Sequence, residues 1–305
     1  MQSMATIGIF DSGAGGLSVF REIYRLLPGQ DYVYFSDNAC CPYGEKPRDF
    51  IVGRARTITD FLLAQGADII VVACNTATAA AINVLRAEYS ASDSGPAGHV
   101  MEITGGRRGH VNFIGMEPAV KPAAALTRTG VVGVLATAGT LGGQKYIRTR
   151  DAYAGSVRVV EHIGEGFVEL VENGCMSGPE AERIVRESLL PLLDAGADVI
   201  VLGCTHYPFL SDVISRIAGP SVSIINPAPA VAHHLIEVME SDGLLSTDTS
   251  DVHPSWQDAG SMPDSLHDGN SVALHFLMPR RNILLCSSGA PDAIARLFPV
   301  VMQSI

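Results

Sequence analysis

The stretch GADIIVVAC at residues 66–74 returns as GADVIVLGC at residues 196–204, with six of nine positions identical. Each copy is an apolar run that follows a Gly-Ala-Asp turn and ends at a cysteine, a pattern typical of a strand buried in a parallel sheet. A glycine-rich strand end precedes each copy, GIFDSG at 8–13 and GVLATAGT at 133–140. Cys74 follows Asp11 by 63 residues and Cys204 follows Thr137 by 67. Two matches in the same order at nearly constant spacing indicate a duplicated αβ unit.

Short runs rich in Val and Ile alternate with longer amphipathic stretches along the chain, which predicts an α/β fold with mostly parallel strands. Because of the duplication, we expect the chain to form two similar doubly wound αβ domains. They would be related by pseudo-two-fold symmetry, with the active site in the cleft between them. We expect residues 1–115 and 228–305 to form the first domain, and residues 116–227 the second. The predicted strands are Ile7 to Phe10, Tyr32 to Phe35, Ile69 to Ala73, Val131 to Leu135, Val157 to Val160 and Val199 to Leu202. The predicted helices are Leu17 to Leu27, Asp49 to Gln65, Ala77 to Tyr89, Gly166 to Asn173 and Gly178 to Ala195.

Two stretches do not follow this alternation. Residues 90–112 are rich in Gly, Ser and Asp, and residues 246–270 are rich in Asp, Ser, Pro and His and carry the only tryptophan, Trp256. Such compositions favour surface loops or partly disordered inserts.

Composition argues against nucleic acids and membranes as binding partners. The 305 residues carry a formal net charge of -11, and phosphate backbones require clustered basic residues, so we expect no nucleic acid as main ligand. No basic segment followed by an apolar one opens the chain, and no window approaches the roughly 20 apolar residues of a membrane span. We therefore expect a cytoplasmic protein without membrane contact, whose six cysteines are reduced.

Two cysteines lie where a doubly wound sheet binds ligands, at the carboxyl ends of predicted strands. Cys74 precedes an alanine-rich helix that Asn75 or Thr76 could cap, and free amides at such a helix start bind carboxylates. The glycines in 11–16 allow backbone amides to approach a ligand closely. The other four cysteines fit a packing role: Cys40, Cys41, Cys175 and Cys286.

The surroundings of these two thiols suggest acid–base chemistry. His206 follows Cys204 by two residues, where it can lower the thiol pKa or relay its proton, and Asp11 could play that part for Cys74. A pseudo-two-fold would place one thiol on each side of a bound molecule. One thiolate could then remove an α-proton while the opposite thiol returns one. No pyridoxal-type lysine motif is visible, so we expect no cofactor. We also expect no metal, because the cysteines lack tight Cys-x-x-Cys spacing.

Several motifs match a known family in order and spacing: Asp11-Ser12-Gly13 with Gly15-Gly16, Pro42-Tyr43-Gly44, Ala73-Cys74-Asn75-Thr76, Leu135-Ala136-Thr137 and Gly203-Cys204-Thr205-His206-Tyr207-Pro208. Through them the chain resembles the glutamate racemases of the aspartate/glutamate racemase family. The resemblance implies a cofactor-independent homodimer that converts L-glutamate to D-glutamate for peptidoglycan synthesis. It implies the catalytic residues Cys74, Cys204, Asp11, His206 and Glu172. It implies substrate binding by Asp11, Ser12, Pro42, Tyr43, Gly44, Asn75, Thr76, Thr137, Thr140, Thr205 and His206. The family usually has an arginine and an apolar residue where this chain has Cys40-Cys41.

Three alternatives remain open at this point. The same chemistry could act on aspartate. A metal-dependent hydrolase could use Cys74, Cys204, His206 and Asp11 as ligands, although tight Cys-x-x-Cys spacing is lacking. A non-catalytic relative could bind an amino acid or a protein partner in the same cleft.

Overall fold

A computed structural model of the chain describes residues 5–90, 97–117, 119–153, 155–245, 266, 272–278 and 281–304. It has an α/β architecture with two sheets. The strands are β1 (Thr6–Asp11), β2 (Asp31–Ser36), β3 (Ile69–Val72), β4 (Asn112–Gly115), β5 (Val131–Ala136), β6 (Arg158–Ile163), β7 (Val199–Gly203), β8 (Ser223–Ile225), β9 (Val272–Met278) and β10 (Arg281–Ser287).

The two sheets contain the two copies of the repeated strand. The first sheet has the order β4-β3-β1-β2-β10-β9, and the second has the order β6-β5-β7-β8. All neighbours are parallel except β9 and β10, which are antiparallel. The repeated strands are β3 and β7, and both are buried along their whole length, as parallel strands covered on both faces should be. The predicted fold class is confirmed.

Helices flank these sheets. They are α1 (Leu17–Leu26), α2 (Arg48–Ala64), α3 (Asn75–Leu85), α4 (Ala97–Ile103), α5 (Val120–Leu126), α6 (Ala138–Leu141), α7 (Gln144–Tyr153), α8 (Phe167–Glu172), α9 (Pro179–Asp194), α10 (Ser211–Ala218), α11 (Ala228–Ser241) and α12 (Asp292–Gln303). Among the described residues, none of these helices is both long enough and apolar enough to span a bilayer.

The core follows the two-residue period of the strands. Ile69 and Val71 of β3 face one apolar cluster, whereas Ile70 and Val72 face another on the opposite side of the sheet. The first cluster also contains residues of the second sheet, such as Leu202, and therefore joins the two sheets through one continuous core. This continuity packs the two sheets against each other.

All six predicted strands are present, with bounds that differ by a few residues at most. Strands β4, β8, β9 and β10 were not predicted. Two of these are short, and β9 and β10 follow the polar stretch 246–270, so neither their length nor their surroundings distinguished them from loops.

The first sheet uses strands within 6–115 and 272–287, and the second uses strands within 131–225. This distribution supports the division 1–115 with 228–305 against 116–227, which remains our proposal.

The prediction for the stretch 90–112 was partly wrong. Residues 97–103 form α4, which packs on α2, and Val100 within it is fully buried. The sequence did not predict this helix because only Val100 and the partly buried Ile103 pack it against the core, too few residues to give a periodic pattern. Of the stretch 246–270, only Leu266 is described, and it is buried. Trp256 and the rest of that prediction lie outside the described residues.

Candidate active site

The two repeated strands each deliver a thiol at the same structural position. Cys74 directly follows the loop after β3, and Cys204 directly follows β7. The sequence predicted Asn75 or Thr76 as the N-cap of the helix after β3, and this prediction was wrong. Cys74 itself is the N-cap of α3, because its sulfur accepts the backbone N–H of Ala77 at 3.4 Å. A thiol at this place lies beside the positive end of a helix dipole.

Both thiols line one enclosed pocket between the sheets. Its lining residues are Ser12, Pro42, Tyr43, Gly44, Cys74, Asn75, Thr76, Thr137, Val168, Cys204, Thr205 and His206. The free volume between them is about 10 Å³, roughly the space of one water molecule. An amino acid therefore enters only when the two sheets or their loops move apart.

Cys74 lies in a half-site of hydroxyl groups and buried negative charge. Its sulfur is 3.6 Å from the hydroxyl oxygen of Ser12. Burial raises the pKa of the Cys74 thiol, and the charge of Asp11 raises it further, against the smaller opposing effects of Ala77 and Ser12. Cys74 is therefore held as a neutral thiol.

Cys204 lies in a half-site built around an imidazole. Its sulfur is 3.7 Å from Nδ1 of His206, whose Nε2 lies 2.6 Å from Oε1 of Glu172. Burial disfavours the imidazolium, but the hydrogen bonds to Cys204 and Glu172 outweigh burial and raise the pKa of His206 well above its usual value. Burial likewise disfavours the carboxylate of Glu172, yet the hydrogen bond and charge of His206 lower its pKa. The pair is thus held as imidazolium and carboxylate.

Glycines of the β1–α1 turn allow this pair to approach the first sheet. The backbone N–H of Ala14 donates to Oε1 of Glu172 at 2.8 Å. A Cβ on Gly13 would lie 2.2 Å from that oxygen, and a Cβ on Gly15 would lie 2.4 Å from Nδ1 of His206. Any side chain at either position would displace the imidazole or the carboxylate. Gly13 and Gly15 therefore allow the side chains of Glu172 and His206, which follow strands of the second sheet, to pack against the turn between β1 and α1.

Asp11 connects the two half-sites. Its Oδ2 accepts the backbone N–H of Gly16 at 2.8 Å, and both carboxylate oxygens lie 3.4 Å from the hydroxyl of Thr205. Burial raises the pKa of Asp11, partly offset by the charge of His206. Its hydrogen bonds thus reach across to the Cys204 side, whereas the hydroxyl beside Cys74 belongs to Ser12.

Three threonines form a hydroxyl cluster at the edge of the pocket. The hydroxyls of Thr76 and Thr137 are 2.9 Å apart, and Thr140 lies 3.0 Å from Thr137. Nearby, the phenol of Tyr43 donates to Asp37, which also pairs with Arg54. This pairing fixes the wall formed by the Pro42-Tyr43-Gly44 motif.

The structure brings most of the predicted site residues together. Those that line the pocket are Ser12, Pro42, Tyr43, Gly44, Cys74, Asn75, Thr76, Thr137, Cys204, Thr205 and His206. Asp11, Glu172 and Thr140 do not line it and act on lining residues through hydrogen bonds.

The sequence analysis missed two residues near the site. Val168 lines the pocket from α8, and its apolar side chain gave no signal of function. Cys41 lies beside Glu172 and His206, although it was interpreted as a packing residue. Its position directly before the Pro42-Tyr43-Gly44 motif was the available signal.

Two αβ units with parallel strands each present one thiol to a shared pocket, an arrangement that suits racemases and epimerases. Residues 107–235 match the family model described as Asp/Glu/Hydantoin racemase. The chain is 48% identical over 243 residues to the glutamate racemase of Methylococcus capsulatus, covering 79% of this chain and 81% of the relative.

Solved structures agree with this match. A glutamate racemase isoform of Bacillus anthracis superposes with a TM-score of 0.68 at 30% identity, covering 81% of this chain and 86% of that chain. Escherichia coli glutamate racemase, solved with L-glutamate and the activator UDP-MurNAc-ala, gives a TM-score of 0.66 at 30% identity, covering 83% and 86%. The chain therefore belongs to the glutamate racemase branch of the aspartate/glutamate racemase family, and it is an amino-acid racemase.

Proposed function

We propose that the protein interconverts L- and D-glutamate, with Cys74 and Cys204 as its two acid–base groups and without cofactor. The observation that carries this proposal is the pair of thiols, one from each sheet, that line a single pocket. The glutamate named for the relatives supports the choice of substrate.

In this mechanism a thiolate on one side removes the Cα proton and the thiol on the other side protonates the opposite face. The two cysteines hold opposite protonation states at any instant, and each turnover exchanges them. The imidazolium of His206, 3.7 Å from Cys204, would stabilise a thiolate there. Burial, and after it the charge of Asp11, raise the pKa of Cys74, so Cys74 is the thiol that begins a turnover protonated.

The substrate carboxylate needs hydrogen-bond donors, because a Cα–H is weakly acidic unless the developing charge is stabilised. Asn75 lines the pocket, and its buried Nδ2 has no hydrogen-bond partner among the described residues. Since a buried donor without a partner is costly, substrate would satisfy it. Thr76 and Thr205 supply hydroxyls on either side. Closure of the pocket around the substrate would exclude water and strengthen these contacts.

The family resemblance supports the further proposals on substrate-binding residues, biological role, cellular location and oligomeric state. The remaining site residues assigned to substrate binding are Asp11, Ser12, Pro42, Tyr43, Gly44, Thr137, Thr140 and His206. D-glutamate would serve peptidoglycan synthesis in the cytoplasm, and the working form would be a homodimer.

The test is incubation of the purified protein with L-glutamate in deuterated water, with Cα exchange followed by NMR and inversion by optical rotation. We expect deuterium to enter while rotation is lost, and L-aspartate run in parallel to react more slowly. Cys74→Ser and Cys204→Ser should each abolish racemisation. Faster turnover of aspartate would overturn the substrate, and absence of exchange with either amino acid would overturn the reaction.

A further inference from the structure

A group of potential metal ligands lies on the Nε2 side of the His206 imidazole, opposite the side that faces Cys204. The sulfur of Cys41, a carboxylate oxygen of Glu172 and a ring nitrogen of His206 all lie within 4.8 Å of one another. Neither Cys41 nor Glu172 lines the pocket between the thiols. The group therefore adjoins the substrate pocket and shares only His206 with it. It also differs from the set Cys74, Cys204, His206 and Asp11 considered from the sequence.

The donor set suits a zinc-class cation. Thiolate, imidazole and carboxylate are its usual ligands, at roughly 2.0–2.3 Å in a tetrahedron, which places donor atoms about 3.3–3.8 Å apart. All three donor atoms lie within 4.8 Å of one another, and Nε2 of His206 lies 2.6 Å from Oε1 of Glu172, so side-chain shifts of about 1 Å that spread this pair would reach that geometry. Three protein ligands leave the fourth position for water, as in open zinc sites.

Two further observations point to a ligand at this place. Oε2 of Glu172 is buried and has no hydrogen-bond partner among the residues that the structure describes. Gly13 leaves the space that the group needs, because a Cβ there would lie 2.2 Å from Oε1 of Glu172 and 2.9 Å from the sulfur of Cys41. The turn thus forms a small cradle that contains a buried oxygen able to accept a further bond.

We propose that Cys41, Glu172 and His206 form an inhibitory site for a zinc-class divalent cation. This regulation rests on the proposed function, since it acts through the imidazole beside Cys204. Nδ1 of His206 faces Cys204, so Nε2, which faces Glu172, binds the metal. Binding releases the Cys41 thiol proton and the Nε2 proton to solvent. The imidazole then retains a single proton on Nδ1 and can no longer exchange one through Glu172.

Zinc binding is measured directly, on the full chain, by competition of Zn²⁺ with a chromogenic chelator and by optical absorption of the Co²⁺ form. Cys41→Val removes the sulfur at nearly constant volume, and Cys40→Ala and Cys175→Ser are matched thiol controls. We expect one Zn²⁺ per chain in the wild type and in both controls. The affinity of Cys41→Val should fall more than about tenfold, because even outer-shell partners of a metal contribute roughly 10–100-fold. The sulfur-to-cobalt band should disappear in this variant.

Racemisation provides the second readout. Zn²⁺ should lower kcat of the wild type, excess glutamate should not relieve the inhibition, and a chelator should reverse it. Cys41→Val should racemise normally and resist Zn²⁺. Inhibition that glutamate relieves, or equal Zn²⁺ affinity in Cys41→Val, would assign the metal to Cys74 and Cys204 and overturn the proposal. An active racemase that binds no Zn²⁺ would also overturn it. A protein that binds Zn²⁺ through Cys41 but racemises neither substrate would instead refute the proposed function.

Discussion

The two copies of the repeated strand deliver their cysteines in the same way but surround them differently. Cys74 caps the long helix α3 and lies beside a hydroxyl and the buried charge of Asp11. Cys204 precedes a short turn and lies beside the imidazolium of His206, which Glu172 supports. Duplication thus preserved the strand that places the thiol, while the groups that control its proton diverged. A reaction that needs one thiolate and one thiol benefits from this divergence.

The largest expected effect is that the two half-sites deprotonate different enantiomers of glutamate. In Cys74→Ser only Cys204 can act as base, and in Cys204→Ser only Cys74 can. Each variant should lose racemisation by at least about 10²–10⁴-fold, the usual contribution of a positioned acid or base. In deuterated water each should still exchange the Cα proton of one enantiomer with retention, and the two variants should choose opposite enantiomers.

Proton NMR of separate L- and D-glutamate samples, with chiral chromatography of the products, measures both properties. The wild type should exchange both enantiomers with inversion. If both variants exchange the same enantiomer, the thiols do not act on opposite faces and the two half-sites are not functional counterparts.

A smaller effect is expected from the turn that seats the imidazole. In Gly15→Ala the new Cβ would fall 2.4 Å from Nδ1 of His206, so the ring must leave its position beside Cys204. A displacement near 1 Å commonly costs about 10²-fold in rate, which we expect in kcat with little change in KM. Gly53→Ala is the matched control, because no atom lies within 4 Å of its new Cβ in α2. The control should keep full activity, and equal activity of the two variants would show that the ring position is unimportant.

Glu172 is a positioning residue, since it contacts His206 and not the pocket. Glu172→Gln keeps an acceptor for Ala14 but removes the charge that favours the imidazolium. We expect kcat to fall about 10–100-fold, less than the roughly 10⁴-fold loss in serine hydrolases, because a thiol is more acidic than a hydroxyl. Glu169→Gln, on the exposed face of the same helix, should behave as the wild type. A rise in KM alone would show that Glu172 acts on substrate binding instead.

The sequence predicted those features that short motifs encode. The repeated GAD strand located both cysteines, and His206 lay two residues from Cys204 in the chain. The proximity of Cys41 to Glu172 and His206 was not predictable, because these residues come from distant parts of the chain, and its place before Pro42 was the only signal. Val168 resembled any core residue of α8, and the single buried anchor of α4, Val100, gave no periodic pattern. Local patterns thus identify strand ends and turns, whereas contacts between the sheets depend on the complete fold.

The smallest effect concerns the aspartate at the third position of each repeat, Asp68 and Asp198. Asp68 accepts hydrogen bonds from Arg108 at 2.6 Å and from the N–H of Thr6, whereas Asp198 accepts them from Thr127, Arg128 and Thr129. Burial opposes ionisation of Asp198, but these hydrogen bonds outweigh it and lower its pKa. We expect Asp198→Asn to reduce the free energy of unfolding by about 1–2 kcal/mol at pH 7.

The sign of the pH dependence follows from the lowered pKa. A carboxyl that is more acidic in the folded protein stabilises it fully above the unfolded pKa, about 3.9, and progressively less as pH falls below that value. Urea unfolding should therefore show the difference between wild type and Asp198→Asn shrinking below about pH 4. In Asp68→Asn the loss should decrease more strongly with added salt, because this variant breaks two ion pairs, with Arg107 and Arg108, whereas Asp198 pairs with Arg128 alone. A pH-independent cost in Asp198→Asn would mean that the charge contributes nothing, and that the two aspartates act only through the shape of their turns.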